Sequence, residues 1–143
     1  MKYYIAYGSN LNKEQMAVRC PDAYPIGTGV INNAELVFRS NFRGCGVANV
    51  EPKKGSKVPI GIWAISDKDE KALDRYEGYP YLYDKETMML NMDGDKVEAM
   101  IYLMNPGQML TIPSLGYLNT IRKGYRDFGF PTKELYRRAN AYD

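Results

Sequence analysis

Apolar positions divide the chain into short dense runs of strand length and longer stretches with helical spacing. Residues 2–7 are an aromatic and branched run without internal Pro or Gly, which predicts a strand. The run stops at Gly8-Ser9-Asn10. Asn12, with Gln15 three positions on, then predicts a helix cap, and Leu11 and Met16 are spaced as a hydrophobic staple. That helix covers about residues 13–20 and ends at Pro21. Gly27-Thr28-Gly29 leads into Val30-Ile31 and on to Leu36-Val37-Phe38, a strand with a bend. Residues 39–46 read as a loop, residues 45–50 as a strand stopped by Pro52, and Lys53-Lys54-Gly55-Ser56-Lys57 as a solvated basic turn. Another strand spans residues 58–65.

Ser66 opens the clearest helix. Ser66 and Asp69 make a capping signature, Asp67 and Asp69 suit the positive end of the helix dipole, and Gly78 followed by Pro80 ends the element. Asp69, Ala72, Leu73, Tyr76 and Glu77 fall on one side of it. Residues 82–92 and 96–104 predict two strands around the hairpin turn Asp93-Gly94, with apolar side chains on both faces. After a loop over residues 105–112, a helix starts near Pro113 and runs to about Asp127. Gly129-Phe130-Pro131 breaks it, and a last helix covers about residues 132–141. The order β-α-β-β-β-α-β-β-α-α lacks the regular alternation of a doubly wound sheet. It predicts one α+β domain over residues 1–143, its sheet curved into a small partial β-barrel with helices packed outside.

Composition narrows the chemistry. A chain of 143 residues fits one domain with a sizeable core, and 45% apolar with 25% charged residues is ordinary for a globular protein. The net charge of +2 gives no strong field, so neither nucleic acid nor an anionic membrane is an expected partner. Arg122-Lys123, Arg126 and Arg137-Arg138, the one basic grouping that suggests RNA, read as solvated helix faces. No apolar run approaches the roughly 20 residues of a membrane helix. Met1-Lys2-Tyr3-Tyr4-Ile5 has no signal-peptide character, so a cytoplasmic location is expected. Cys20 and Cys45 form neither a pairwise motif nor metal-ligand spacing, and read as two reduced thiols. Histidine is absent. That removes Ser-His-Asp and Cys-His catalysis and the usual His-containing zinc sites, so an acid–base enzyme here must use a carboxylate, lysine or tyrosine.

Two features carry candidate chemistry. Glu77 shares a face with Leu73 and sits in the last helical turn, where desolvation and the negative end of the dipole both raise a carboxylate's pKa. A shift from about 4.3 to about 6–7 suits a general base near neutral pH. On the helix alone, a surface glutamate at the edge of the apolar stripe is the more usual reading. Gly8-Ser9-Asn10 ends a strand and feeds a helix, leaving backbone N–H groups free for an anion or a carbonyl oxygen. It is not a dinucleotide fingerprint, a P-loop or a nucleophile elbow. Ser9 has no histidine partner to activate it, and a plain turn remains open. Thirteen tyrosines are core or rim residues by default.

Taken together, these stretches resemble the gamma-glutamylcyclotransferase superfamily, AIG2-like and BtrG-like. The resemblance is carried by Tyr7-Gly8-Ser9-Asn10-Leu11, Met16, Arg19-Cys20-Pro21, Gly61-Ile62-Trp63, Leu73-Asp74-Arg75-Tyr76-Glu77-Gly78, Tyr83, Pro113-Ser114-Leu115-Gly116-Tyr117, Gly124 and Gly129-Phe130-Pro131. It runs over about residues 2–135 and implies that family's mixed, curved sheet. It also implies cleavage of a gamma-glutamyl amide by attack of the glutamyl amino group on its own side-chain carbonyl, releasing 5-oxoproline and an amine or amino acid. Such a reaction uses no metal, no cofactor and no enzyme nucleophile. By the resemblance Glu77 is the catalytic acid–base. Gly8, Ser9, Asn10 and Leu11 form the substrate-binding loop, with Tyr7, Tyr117 and Tyr83 beside the pocket. The partner is a small-molecule gamma-glutamyl substrate, and the assembly a monomer or homodimer. Tyr79-Pro80-Tyr81 is more aromatic than a polar leaving group calls for, which leaves glutathione-type turnover and tailoring of a secondary metabolite both open. The alternative on the same fold is a non-catalytic module binding a gamma-glutamyl or amino-acid-like ligand.

Overall fold

In the computed structural model, which describes residues 1–140, the chain opens with β1 (Lys2–Ala6), a single 3-10 turn (Ser9–Leu11) and α1 (Lys13–Arg19). There follow β2 (Tyr24–Ser40), β3 (Gly46–Ile65), α2 (Asp67–Glu77), β4 (Tyr83–Met92), β5 (Asp95–Met104), α3 (Leu115–Asp127) and α4 (Lys133–Ala139). The strands form one mixed sheet in the order β2-β3-β1-β5-β4. Central β1 runs antiparallel to β3 and parallel to β5, and the outer pairs are antiparallel. The sheet curves but does not close, because β2 and β4 lie at opposite ends of the order and do not pair. The expected partial barrel is therefore an open, curved sheet.

Burial explains why the central strands read as continuous apolar runs. Tyr4, Ile5 and Ala6 are buried in succession, as are Ala99, Met100, Ile101 and Tyr102. Neighbouring strand residues point to opposite faces, so both faces of the sheet are covered here. Met16, Leu73, Ile121 and Leu135, one from each helix, reach this core with at most 1% exposure. On edge strand β4, by contrast, half-buried Met88, Leu90 and Met92 alternate with exposed Met89 and Asn91.

The predicted caps form. Asn12 accepts from the Gln15 amide at 2.9 Å, and α3 carries a further cap, Ser114, which accepts from the Tyr117 amide at 3.2 Å. Ser66 and Asp69 make a reciprocal capping box, both bonds at 3.1 Å. Gly78 closes α2 at φ 66°, the left-handed conformation a glycine cap supplies. At the β4–β5 hairpin, Asp93 and Gly94 have φ 51° and 86°, the signs that a two-residue turn matching the sheet's twist requires. The last helix is shorter than expected, and residue 141 of that expectation lies outside the described residues.

One expectation is corrected. Residues 45–50 and 58–65 are not two strands separated at Pro52 but parts of the continuous 20-residue β3. Pro52 pairs with Ala34 and Lys57 with Asn32, so residues 53–56 bulge out opposite Asn33 alone. Asn33 takes φ 56°, and its side-chain oxygen accepts the Gly55 amide at 3.0 Å. Lys53, Lys54 and Gly55 are exposed, so the basic segment is solvated as expected, but as a bulge inside a hairpin. Among the described residues, no helix is long and apolar enough to cross a membrane.

Two glycines let the opening turn sit deep in the fold. A Cβ on Gly124 of α3 would fall 2.6 Å from the Leu11 carbonyl carbon and 2.7 Å from the Asn12 nitrogen. One on Gly61 of β3 would meet a Leu11 methyl at 2.8 Å. Leu11 is held between sheet and helix with no exposure. Gly124→Ala should therefore lower unfolding stability by about 1–3 kcal/mol in urea titrations, the usual cost of overpacking. Gly116→Ala, on the same helix with no atom within 4 Å of the added methyl, should be neutral or slightly stabilising.

Candidate active site

After β1 the chain leaves the sheet through Tyr7 and Gly8 and tightens into the 3-10 turn. Gly8 runs close to β3: a Cβ there would touch the Ala48 methyl at 3.0 Å. Below the turn, the Trp63 indole N–H donates to the Asn10 carbonyl at 3.0 Å. Beside it, the Asn12 side chain donates to the Thr120 carbonyl of α3 at 3.1 Å. Ser9 and Asn10 are buried polar residues, and as the first two residues of the turn their amides have no partner within it.

The end of α2 closes on this turn. The Ser9 and Tyr76 hydroxyls share a hydrogen bond at 2.8 Å, and Asn10 Nδ2 donates to Glu77 Oε1 at 3.2 Å. The remaining carboxylate oxygen, Oε2, has no partner among the described residues. The helix is fixed along its length. At its start, buried Asp69 accepts the Asp22 amide at 3.4 Å. Midway, Asp74 accepts the Tyr102 hydroxyl at 2.6 Å and pairs with Lys85 at 3.0 Å, while Lys85 also reaches Glu70 at 2.8 Å. Arg19, from α1, lies 3.5 Å over the Tyr76 ring and donates to Asn10 Oδ1, and to Gln15 at 3.1 Å.

Turn and helix end line a cavity of about 310 Å³, together with residues of the β2–β3 hairpin and six tyrosines. Glu77 is its one charged lining residue. Burial pushes the Glu77 carboxyl up to about 7, against the opposing pull of the Arg19 guanidinium and the Asn10 hydrogen bond. Tyr4, Tyr7, Tyr83, Tyr102 and Tyr117 are all raised above the ordinary tyrosine range, mainly by burial, and stay protonated. Glu77 is thus placed to exchange a proton near neutral pH, beside a turn whose first amides have no partner among the described residues.

Of the residues expected at the site, Tyr7, Gly8, Ser9, Asn10, Glu77, Tyr83 and Tyr117 all line this cavity. Leu11 does not, because it is a core residue beneath the turn. Tyr76 and the hairpin residues Asn41 and Cys45–Ala48 also line the cavity and were not expected there. Neither was Arg19, which does not line the cavity but contacts Asn10 and Tyr76. The helical spacing that put Tyr76 on Glu77's side of α2 was a usable signal. Arg19 had a competing explanation as a cation at a helix C-terminus. The hairpin residues enter through strand pairing, which leaves no local mark. Among the described residues, no group of three or more His, Cys, Asp or Glu could hold a metal ion.

The pKa gives two testable outcomes. Glu77 should titrate near pH 7 by NMR, and Arg19→Met should move that midpoint upward, because the opposing cation is gone. Folded protein keeps the Glu77 proton between the usual 4.5 and about 7, where unfolded chain has released it. Stability is therefore lost as pH rises through this window. Glu77→Gln should be more stable than the parent above pH 7, by about 1–3 kcal/mol in urea titrations, with the difference shrinking toward pH 4.5.

The family model described as gamma-glutamyl cyclotransferase, AIG2-like, matches residues 4–119. A Mus musculus protein named gamma-glutamylcyclotransferase is 28% identical, the match covering 90% of this chain and 72% of that one. A Bos taurus protein of the same name is 24% identical, over 98% of this chain and 78% of that one. A solved structure named gamma-glutamyl cyclotransferase superposes with a TM-score of 0.83 at 23% identity, over 97% of this chain and 86% of the other. That last likeness is one of fold.

Proposed function

This chain belongs to the gamma-glutamyl cyclotransferase, AIG2-like family, and on that premise we propose that it cleaves a gamma-glutamyl amide to 5-oxoproline and a free amine. The observation that carries the reading is a single carboxylate, pushed up to about 7, facing a cavity beside the unpaired amides of the 3-10 turn.

In this mechanism the turn holds the glutamyl end of the substrate. Amides of Gly8, Ser9 and Asn10 take the substrate carboxylate and the oxygen of the carbonyl under attack, whose negative charge grows as the tetrahedral intermediate forms. Glu77 takes a proton from the substrate α-ammonium. The freed amine attacks the side-chain carbonyl carbon, closing the five-membered ring. Glu77 then gives its proton to the departing nitrogen as the C–N bond breaks. It takes the second proton from the ring nitrogen and passes it to the released amine, which leaves as an ammonium, so the enzyme ends as it began. The nucleophile comes from the substrate, which accounts for how a chain without histidine could run the reaction. Asn10 holds Oε1 and leaves Oε2 open toward the proton being moved. The raised pKa supports both roles, since a carboxyl near 7 loses and regains a proton at little cost near neutral pH.

Incubation with a panel of gamma-glutamyl amines and amino acids, read as 5-oxoproline release, tests the reading. Turnover should rise with pH through about 7 as Glu77 ionises. Glu77→Gln should fold normally and lose about 10²–10⁴ of the rate, the usual contribution of general acid–base catalysis. Full turnover in Glu77→Gln would remove Glu77 from the mechanism. Thermal stabilisation by the same compounds without 5-oxoproline release would favour a non-catalytic binding module.

A further inference from the structure

A separate cavity of about 200 Å³ lies between the β2–β3 hairpin, α3 and α4, and shares no lining residue with the candidate active site. Most of its lining is apolar. Leu36 of β2, Val58 of β3 and Leu135 of α4 are at most 4% exposed. Pro59 and Pro131 add ring carbon and bring no backbone donor.

Tyr125 of α3 is the exception. It is 2% exposed, its ring packs edge-on against Phe130 at 5.6 Å, and its hydroxyl has no hydrogen-bond partner among the described residues. A buried tyrosine hydroxyl ordinarily finds one. Tyr7, Tyr83 and Tyr102, around the other cavity, all donate to protein oxygens. Nor is the Tyr125 oxygen sealed in. Among the described residues only Arg122 Nε is both fully enclosed and unpartnered, so this hydroxyl opens on the cavity that Tyr125 lines. Burial and the nearby Glu134 carboxylate raise its pKa, so it keeps its proton and can only gain by finding an acceptor.

The acids nearby are already engaged. Glu134 is held by Arg137 at 2.6 Å and Arg138 at 3.0 Å, and Arg138 also holds Glu35 at 2.7 Å. Lys57, an exposed lining residue, has no acidic partner among the described residues, so the surplus charge at the cavity is positive. An unpaired donor and an unpaired cation on an apolar lining call for an anionic acceptor on an apolar body. An apolar cavity of about 150 Å³ holds benzene, so this one has room for a ring and a short acid chain. We propose that the cavity is a second binding site, for a small carboxylate with an apolar body. The body packs on Leu36, Val58 and Leu135, and the carboxylate accepts from the Tyr125 hydroxyl and the Lys57 ammonium. This site stands independently of the cyclotransferase reading.

Hydrocinnamate titrated into the full chain, followed by amide NMR and thermal melting, tests the proposal. Shifts should appear at the Leu36, Val58 and Leu135 amides, and Tm should rise with the acid's concentration. Hydrocinnamyl alcohol, with the same body and no charge, should bind about tenfold more weakly. Tyr125→Phe and Lys57→Met should each weaken the acid about tenfold. Both should melt near the parent without ligand, because neither group removed has a protein partner among the described residues. Absence of shifts at those three amides at millimolar acid overturns the proposal. So do shifts confined to Ser9 and Asn10, which put the acid in the other cavity. Equal binding of the alcohol, or parent-like affinity in both variants, overturns it as well.

Discussion

Asn10 joins the site to the rest of the molecule. Its carbonyl takes the Trp63 indole from β3, and its Nδ2 reaches Tyr4 of β1 at 2.8 Å and Glu77 of α2 at 3.2 Å. Its Oδ1 accepts from Arg19 of α1. A primary amide has two donors and an acceptor in one plane, so satisfying all of them from three elements fixes its position. The 3-10 turn is thereby held in one conformation and Glu77 in one orientation. The glycines at 61 and 124 matter for the same reason, since they admit the turn to the depth at which those partners can be reached.

The second constraint is a balance around Glu77. Burial raises its pKa, while the Arg19 guanidinium and the Asn10 amide lower it, and burial wins. A direct ion pair would have ionised the carboxylate well below neutral pH and left it a poor proton donor. The structure avoids this by giving Arg19 other partners: the Asn10 oxygen, Gln15 and the face of the Tyr76 ring. The cation tempers the carboxylate through one intervening side chain.

Local chemistry in the sequence was a good guide where structure is local. The caps at Asn12 and Ser66, the Asp93-Gly94 hairpin and the inward face of Glu77 follow from interactions within four residues, and all are present. It was a poorer guide wherever a distant partner decides. Pro52 reads as a strand terminator until Asn33 is seen turning opposite a four-residue bulge, which keeps β3 in register on both sides. Leu11 reads as part of a binding loop, yet Gly61 and Gly124 open a core site for it. The hairpin wall of the cavity is set by the pairing of β2 with β3, and no short window of sequence contains both.

The two hydrogen bonds that join the turn to α2, Ser9 to Tyr76 and Asn10 to Glu77, each span 67 positions. The whole β2–β3 hairpin lies between their ends. During synthesis the turn emerges first and has nothing to close against until that hairpin and α2 have followed it. A chain folded only in its first half carries the substrate loop without a pocket. Any small molecule that bridges the turn and α2 therefore engages the completed fold alone, and by mass action its concentration becomes a determinant of how much of the chain stays folded.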